Sequence, residues 1–248
     1  PARDEGRAVL PLFASIEAQS YKKEIFDTYV IVKNPKDEVI GYAKDINAYV
    51  YVDEEQKSKG DCLDYCIRHI LASGRKYDGY IIVDADCRLD NGFLENMNDA
   101  MTTGAKVITG RKIAGNYTCG NRGAVNAVTC LNGLIWSIID ELGNRYKSAV
   151  GLTTMPITTG ILICGDLVEE WGGWNYRQTL TEDMELLRDC ACKGIKTFHY
   201  SYARLYLEEA PSHTDTNRRR TRWMTGMVEA DRIYYRELFK RRGLWALI

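Results

Sequence analysis

The sequence predicts an α/β protein: a mostly parallel sheet with helices on both faces and a helical C-terminal extension. Two observations point there. Short runs rich in Val, Ile and Tyr alternate with helix-length segments along the chain, which is the rhythm of βαβ units. The 248 residues suit one large α/β domain or two small ones, with enough chain for a substantial core. Neither internal repeats nor a low-complexity linker divides the chain. The expected organisation is a single compact domain, with residues 1–213 forming its body and residues 214–248 an Arg-rich helical segment of that same domain.

Each element has its own signal. Residues 9–19 (VLPLFASIEAQ) have helical spacing, and TYVIVK (28–33) reads as a strand. Residues 37–46 read as a helix and AYVYV (48–52) as a strand. Residues 60–73 read as a helix, and YIIVDAD (80–86) as a buried, central strand. A short helix follows near 92–102, then a strand at KVITG (106–110). Residues 122–143 read as one long amphipathic helix, and GILIC (160–164) as a strand. Residues 181–193 form a helix closed by Gly194, after which KTFHYS (196–201) returns to the sheet. A charged, aromatic-rich helix is expected from about 215 to 241.

Bulk properties exclude some classes. The formal net charge of -1 gives no footprint for a nucleic-acid partner. No run of about 18 apolar residues marks a membrane span. The eight cysteines are scattered, without a paired CxxC or a Cys/His cluster, so reduced thiols are expected rather than zinc. PARDEG at residue 1 reads as a polar loop cut just after a strand. FKRRGLWALI at the other end is basic and then apolar. Both ends suggest the soluble part of a longer protein.

Three clusters carry candidate chemistry. In VDADCRLD (83–90), apolar residues run into two acids one residue apart. Ligands of open α/β sheets sit beyond the carboxyl ends of strands. Residues two apart on an extended segment can face the same side. Asp84 and Asp86 therefore either form a turn or present hard oxygen ligands for Mg²⁺ or Mn²⁺ carrying a diphosphate. In LTEDMELL (180–187), Thr179 and Glu182 have capping-box spacing, which leaves Glu182 a possible structural role. Asp183 at the same helix start can serve as a general base. In NRRRTRWM (217–224), arginine forks suit phosphate oxygens and an indole offers a flat platform. A solvated basic face is the plainer alternative. Lys59 beside Gly60 marks a helix start where an anion could sit. Trp171 and Trp174 flank a Gly-Gly turn, either as sugar-stacking faces or as core. None of the three histidines falls in these motifs, although His213 lies just before the Arg cluster.

In order, PARDE, ASIEAQSY, SKGDCL, VDAD, EEWGGW, TEDMEL, EEAP and RRTRW resemble the motifs of family 2 glycosyltransferases, especially the membrane-associated cellulose, chitin and hyaluronan synthase group. The resemblance spans nearly the whole chain. It implies a GT-A fold, with residues 1–213 as the catalytic domain. It also implies inverting transfer of a sugar from a nucleotide-sugar donor, a UDP-sugar by preference, to a saccharide or lipid-linked acceptor. By the same resemblance Asp84 lies near the nucleoside and Asp86 on the cation, Mn²⁺ or Mg²⁺. Asp183 is the catalytic base, and Glu182 lies on the acceptor side. Pro1, Ala2 and Glu5 border base and ribose. Arg219 (at a position usually Gln), Arg222 and Lys59 serve the donor phosphates, and Trp223 with Trp174 forms the acceptor platform. Lys33 stands where the family usually carries an Asp that helps hold uracil. Residues 224–248 mix basic and apolar side chains and are expected to lie on the cytoplasmic membrane surface of the parent protein, with packing on the domain as the alternative. Two other classes stay open: a catalytically weak sugar-nucleotide-binding or scaffold domain, and a sugar-nucleotide nucleotidyltransferase. The latter would usually show a Gly-rich N-terminal loop, which PARDEGR matches poorly.

Overall fold

The computed structural model describes residues 1–116 and 125–242, without the side chains of 241 and 242. Cys119, residues 122–124 of the expected long helix, and Trp245 lie outside the described residues. The first half alternates as expected: α1 (Leu10–Glu17), β1 (Tyr29–Val32), α2 (Val39–Asp45), β2 (Tyr49–Val52), α3 (Lys59–Ala72) and β3 (Gly79–Ile82). A two-residue strand β4 (Arg88–Leu89), α4 (Phe93–Met101) and β5 (Val107–Ala114) follow. A continuous helical rod then comprises α5 (Ala127–Ser137), a π-helical turn (Ile138–Asn144) and α6 (Arg145–Ala149). The remaining elements are β6 (Ile161–Cys164), α7 (Gly165–Trp171), α8 (Glu182–Lys193), β7 (Thr197–Leu207) and α9 (His213–Arg242). The rod starts five residues later than expected because Asn126 caps it. The Asn126 side chain accepts from Val128 and Thr129 backbone N–H groups, and the Thr129 hydroxyl accepts from the Asn126 N–H, so both orphan ends are satisfied.

Strand order is where the structure departs most from the sequence reading. β1 and β2 pair in parallel as a separate two-stranded sheet, and the other five are ordered β3-β6-β5-β7-β4. β5 and β7 run parallel, whereas β6 is antiparallel to both β3 and β5. β3, expected at the centre, pairs only with β6 in this sheet, and three of its four residues are half-buried. Helix α3 joins the two sheets. Cys62, Cys66 and Ile70 pack with Ile31 of β1, while Leu63 and Ile67 pack with Ile82, Ile161 and Ile163. The seven cysteines among the described residues are free, and six are buried, as expected of thiols acting as small hydrophobes.

α9 is packed on the domain for most of its 30 residues, the alternative the sequence left open. Ala230 and Leu238 are buried. Arg188 on α8 pairs with Asp231 at 2.6 Å, and the Leu180 N–H donates to Glu229 Oε2 at 2.9 Å. Gly226 sets the closest approach, since a Cβ there would collide with the Thr181 side chain. Gly226→Ala should therefore force the helices apart and cost about 1–3 kcal/mol, read as a lowered melting temperature. A melting temperature equal to wild type would show that the two helices do not dock this closely.

Candidate functional site

The site is built where β3 ends, α3 begins and α8 begins. Beyond Ile82 the chain leaves the sheet, and the Asp84 N–H donates to Thr159 Oγ1 at 3.0 Å. The turn that follows is closed by backbone, Cys87 N–H to Asp84 C=O at 3.3 Å. The Asp84 carboxylate is thus free of the turn and instead accepts from Lys59 at 2.5 Å. Asp86 is exposed.

Lys59 is fixed by the start of α3. Ser58 caps that helix in a reciprocal box with Asp61, and Gly60 lets the first turn press against the Tyr176 carbonyl and Arg177, where a Cβ would collide. The Lys59 ammonium then reaches Asp84 and, at 3.2 Å, Glu182 Oε1. Burial works against this charge, but the two carboxylates outweigh it and hold the ammonium well above its usual range. This corrects the expectation of an open anion seat at Lys59, whose ammonium ties the end of β3 to the start of α8. Desolvation likewise pushes Asp84 up, yet Lys59 foremost, with the N-terminal amino group and Arg222, keeps its carboxyl below the ordinary value.

The Thr179–Glu182 capping box is not formed. Thr181 is the N-cap residue of α8 and its side chain makes no cap bond. Glu182 is drawn to Lys59 and to the Thr158 hydroxyl at 2.8 Å. The Thr179 N–H is satisfied instead by buried Glu185, at 2.6 Å. Asp183, next to Glu182, has its carboxyl pushed up to about 6, by burial first and by the Glu182 charge second, with Lys59 opposing. A carboxylate poised near neutrality in this way suits a general base.

The N-terminal residues close one side. The Ala2 N–H donates to the Ile31 carbonyl at 2.8 Å. Burial, then the charges of Asp86 and Asp84, raise the Glu5 carboxyl, so these acids share one negative field. From α9, the Arg222 charge acts on Asp84, whereas Arg219 is half-buried on the same helix. His213 is the exposed first residue of α9. Trp223 is half-buried and meets Trp136 edge-on at 6.0 Å. Trp136 in turn donates its indole N–H to buried Glu209 at 2.6 Å.

Trp174 does not belong here. It is 1% exposed, its indole N–H donates to the Tyr176 carbonyl, and it packs in the core with Leu63, Ile67 and Leu186. With no accessible face it is a core residue and not an acceptor platform. Thr158, Thr159, Trp136 and Glu209 went unassigned by sequence reasoning. The Thr-Thr-Gly before β6 signals the two threonines and the EEAP stretch Glu209, whereas Trp136 is one position of the 122–143 helical pattern.

Among the described residues no group of three His, Cys, Asp or Glu is placed to hold a metal alone. Asp84 and Asp86 nonetheless suit a hard cation. Both lie at the end of β3, with Asp86 exposed, and Mg²⁺-type ions take one or two carboxylates and complete their shell with phosphate and water.

Residues 80–248 match the family model described as glycosyl transferase family group 2. Among solved structures the chain is similar to mannosyltransferase PcManGT from Pyrobaculum calidifontis in complex with GDP-Man and Mn²⁺. The TM-score is 0.65 at 15% identity, over 100% of this chain and 70% of that one. It is also similar to S. aureus TarS 1-349 in complex with UDP-GlcNAc, with TM-score 0.60 at 12% identity, over 93% of this chain and 62% of that one. No curated protein matches the sequence. At such identities the likeness is one of fold, and the fold is GT-A.

Proposed function

The chain belongs to the glycosyl transferase family group 2, and from that premise we propose an inverting, metal-dependent sugar transfer. The donor is a nucleotide-sugar, a UDP-sugar by preference, and the acceptor a saccharide or a lipid-linked saccharide. The observation that carries this reading is a single cluster. Lys59 links Asp84, at the strand end suited to a cation, to Glu182, the neighbour of a carboxyl raised to about 6 at Asp183. Similar folds in complex with GDP-Man and Mn²⁺ and with UDP-GlcNAc support a nucleotide-sugar in this place.

Asp183 takes the proton from an acceptor hydroxyl. That oxygen attacks the anomeric carbon from the face opposite the diphosphate. The new C–O bond forms as the bond to the diphosphate breaks, the electron pair leaves with the diphosphate, and the configuration inverts. Arg219 and Arg222 bind the diphosphate oxygens and stabilise the charge that grows there. A divalent cation held at Asp86, with Asp84 beside it, would add the same stabilisation. Pro1, Ala2 and Glu5 border the nucleoside, Trp223 offers the acceptor a stacking face, and Glu182 positions the acceptor side. Lys33 donates to the Gln56 carbonyl at 3.1 Å, so the recognition of the base differs from that of relatives with an Asp there. We place this activity at the cytoplasmic face of a membrane, in the manner of the polysaccharide synthases that the motif order resembles.

The metal assignment has a direct test. Nucleoside diphosphate affinity, UDP and GDP in parallel, should depend on Mn²⁺ or Mg²⁺, and Asp86→Ala should abolish that dependence without lowering the melting temperature. Equal affinity in EDTA would overturn it.

A further inference from the structure

The rod from α5 to α6 is fixed to the sheet. Asp140 Oδ2 accepts from the Lys112 N–H of β5 at 2.7 Å, and Asn144 donates to Asp140 Oδ1 at 3.1 Å. Glu141, beside them, is held by Arg111 of the same strand at 3.0 Å. Residues four apart on a helix share a face. Traced back toward the start of the rod, the inward stripe of Asn144 and Asp140 therefore continues to Trp136 and Asn132. Both are buried, and both meet the first turns of α9.

Asn132 makes the polar part of that contact. Its amide N–H donates to Thr216 Oγ1 at 3.0 Å, and its carbonyl oxygen accepts from the Arg220 guanidinium at 2.8 Å. Thr216 and Arg220 are four residues apart, so one side chain grips α9 across a full turn of a single face. Trp136 adds an aromatic layer, meeting Trp223 edge-on at 6.0 Å. The joint that leads into α9 is tied to the same rod. Asn126 donates to the Pro211 carbonyl at 2.8 Å, and the Trp136 indole to Glu209 at 2.6 Å. A buried amide is unfavourable unless both its ends are paired, and between packed helices a single buried Asn fixes register while lowering stability. What Asn132 adds is geometry, because few rotations and axial positions of α9 satisfy both of its hydrogen bonds.

We propose that Asn132 is a positioning residue for the donor diphosphate, holding α9 at the rotation from which Arg219 and Arg222 reach the phosphate oxygens. On a helix of 3.6 residues per turn these two arginines lie about 60° apart, and roughly 100–160° around the axis from Arg220. The gripped face and the phosphate-facing side are thus separate, and any rotation of α9 swings both arginines together. A rotation of about 20° moves a group at the outer radius of a helix by roughly 2 Å, enough to break a guanidinium–phosphate hydrogen bond. In the arrangement that Asn132 holds, the Arg222 charge acts on Asp84, at the strand end suited to the cation. Beyond the arginines α9 docks on the α8 end through Gly226, Glu229 and Asp231. Arg219 and Arg222 therefore sit between two anchors, and Asn132 supplies the one on their N-terminal side. This assignment rests on the diphosphate role given above to Arg219 and Arg222.

Calorimetric titration with UDP and with GDP, each with Mn²⁺ and over a range of salt, tests it well below the melting temperature. Asn132→Leu fills the space without the grip. It should weaken nucleoside diphosphate affinity at least about tenfold, the effect of losing a hydrogen bond to a charged group. Salt screens the attraction between arginine and phosphate, so affinity should fall less steeply with salt in Asn132→Leu than in wild type. Asn132→Asp can accept from both Arg220 and the Thr216 hydroxyl and should recover most of the affinity. Should Asn132→Leu not fold, Thr216→Val, which keeps the side-chain shape, is expected to show the same two changes in weaker form. A purely structural role would lower the melting temperature of these variants and leave the affinity and salt dependence of the folded chain at wild type. Either readout unchanged, or an Asn132→Asp chain as weak as Asn132→Leu, would overturn the proposal. A wild type that binds neither UDP nor GDP would overturn the donor reading, and this proposal with it.

Discussion

Asp183→Asn should keep donor and Mn²⁺ affinity within a few-fold and cut sugar transfer by about 10²–10⁴. Asn fills nearly the same space as Asp but accepts no proton. If the acids of this turn only supported the α8 start, the variant would lose about 1 kcal/mol of stability and transfer would survive. The pH behaviour gives a second readout. The carboxyl sits at about 6 because burial first, and Glu182 second, raise it, so wild-type transfer should climb as pH rises through that value. The linkage runs the other way for stability. The folded chain holds this proton more tightly than the unfolded chain does, so the stabilising contribution is present at low pH and is lost as pH rises through about 6. Asp183→Asn removes that loss. Relative to wild type, its melting temperature should be higher above this pH than below it.

The largest effect on stability is expected at Lys112. Lys112 and Asp140 are both fully buried, 3.6 Å apart, and the Lys112 ammonium also donates to the Gly110 carbonyl at 2.9 Å. Burial lowers the Lys112 value, with Asp140 opposing. Lys112→Met should cost about 3–5 kcal/mol, because it strands a buried carboxylate. Adding Asp140→Asn should recover part of that loss, because the stranded charge is gone and the amide oxygen can still accept from the Lys112 N–H, although its NH₂ group then meets the Asn144 donor that the second carboxylate oxygen accepted. Urea unfolding of the two variants is the check. A loss under about 1 kcal/mol for Lys112→Met would mean that the pair is solvated rather than buried.

What was legible in the sequence was what local chemistry decides. Three apolar residues running into Asp84 and Asp86 announced both the end of β3 and its acids, and Gly194 marked the end of α8, where it takes φ 73°. What was not legible depends on distant neighbours. Hydrophobic period says that residues 80–83 form a strand, but it carries nothing about β6 running antiparallel beside it. Strands as short as β4, two residues long, have no period at all. Thr179 and Glu182 had capping-box spacing, but Thr158 and Lys59, 24 and more than 100 residues away in sequence, drew Glu182 elsewhere. Trp174 next to a Gly-Gly turn reads equally as platform or core, and only its packing against Leu63 and Ile67 of α3 settles it. The same holds for the α5 rod. Its amphipathic pattern was visible, but which face turns inward was set by the buried partners of Asp140 and Asn132.

The central claim is that the Asp84, Asp86 and Asp183 cluster turns over a nucleotide-sugar. It is tested most directly by nucleoside diphosphate release from a panel of UDP- and GDP-sugars with Mn²⁺. The account predicts release from at least one donor, lost in EDTA, in Asp86→Ala and in Asp183→Asn. Metal-dependent binding across the panel with no release from any donor, or release of sugar phosphate in place of nucleoside diphosphate, would contradict it.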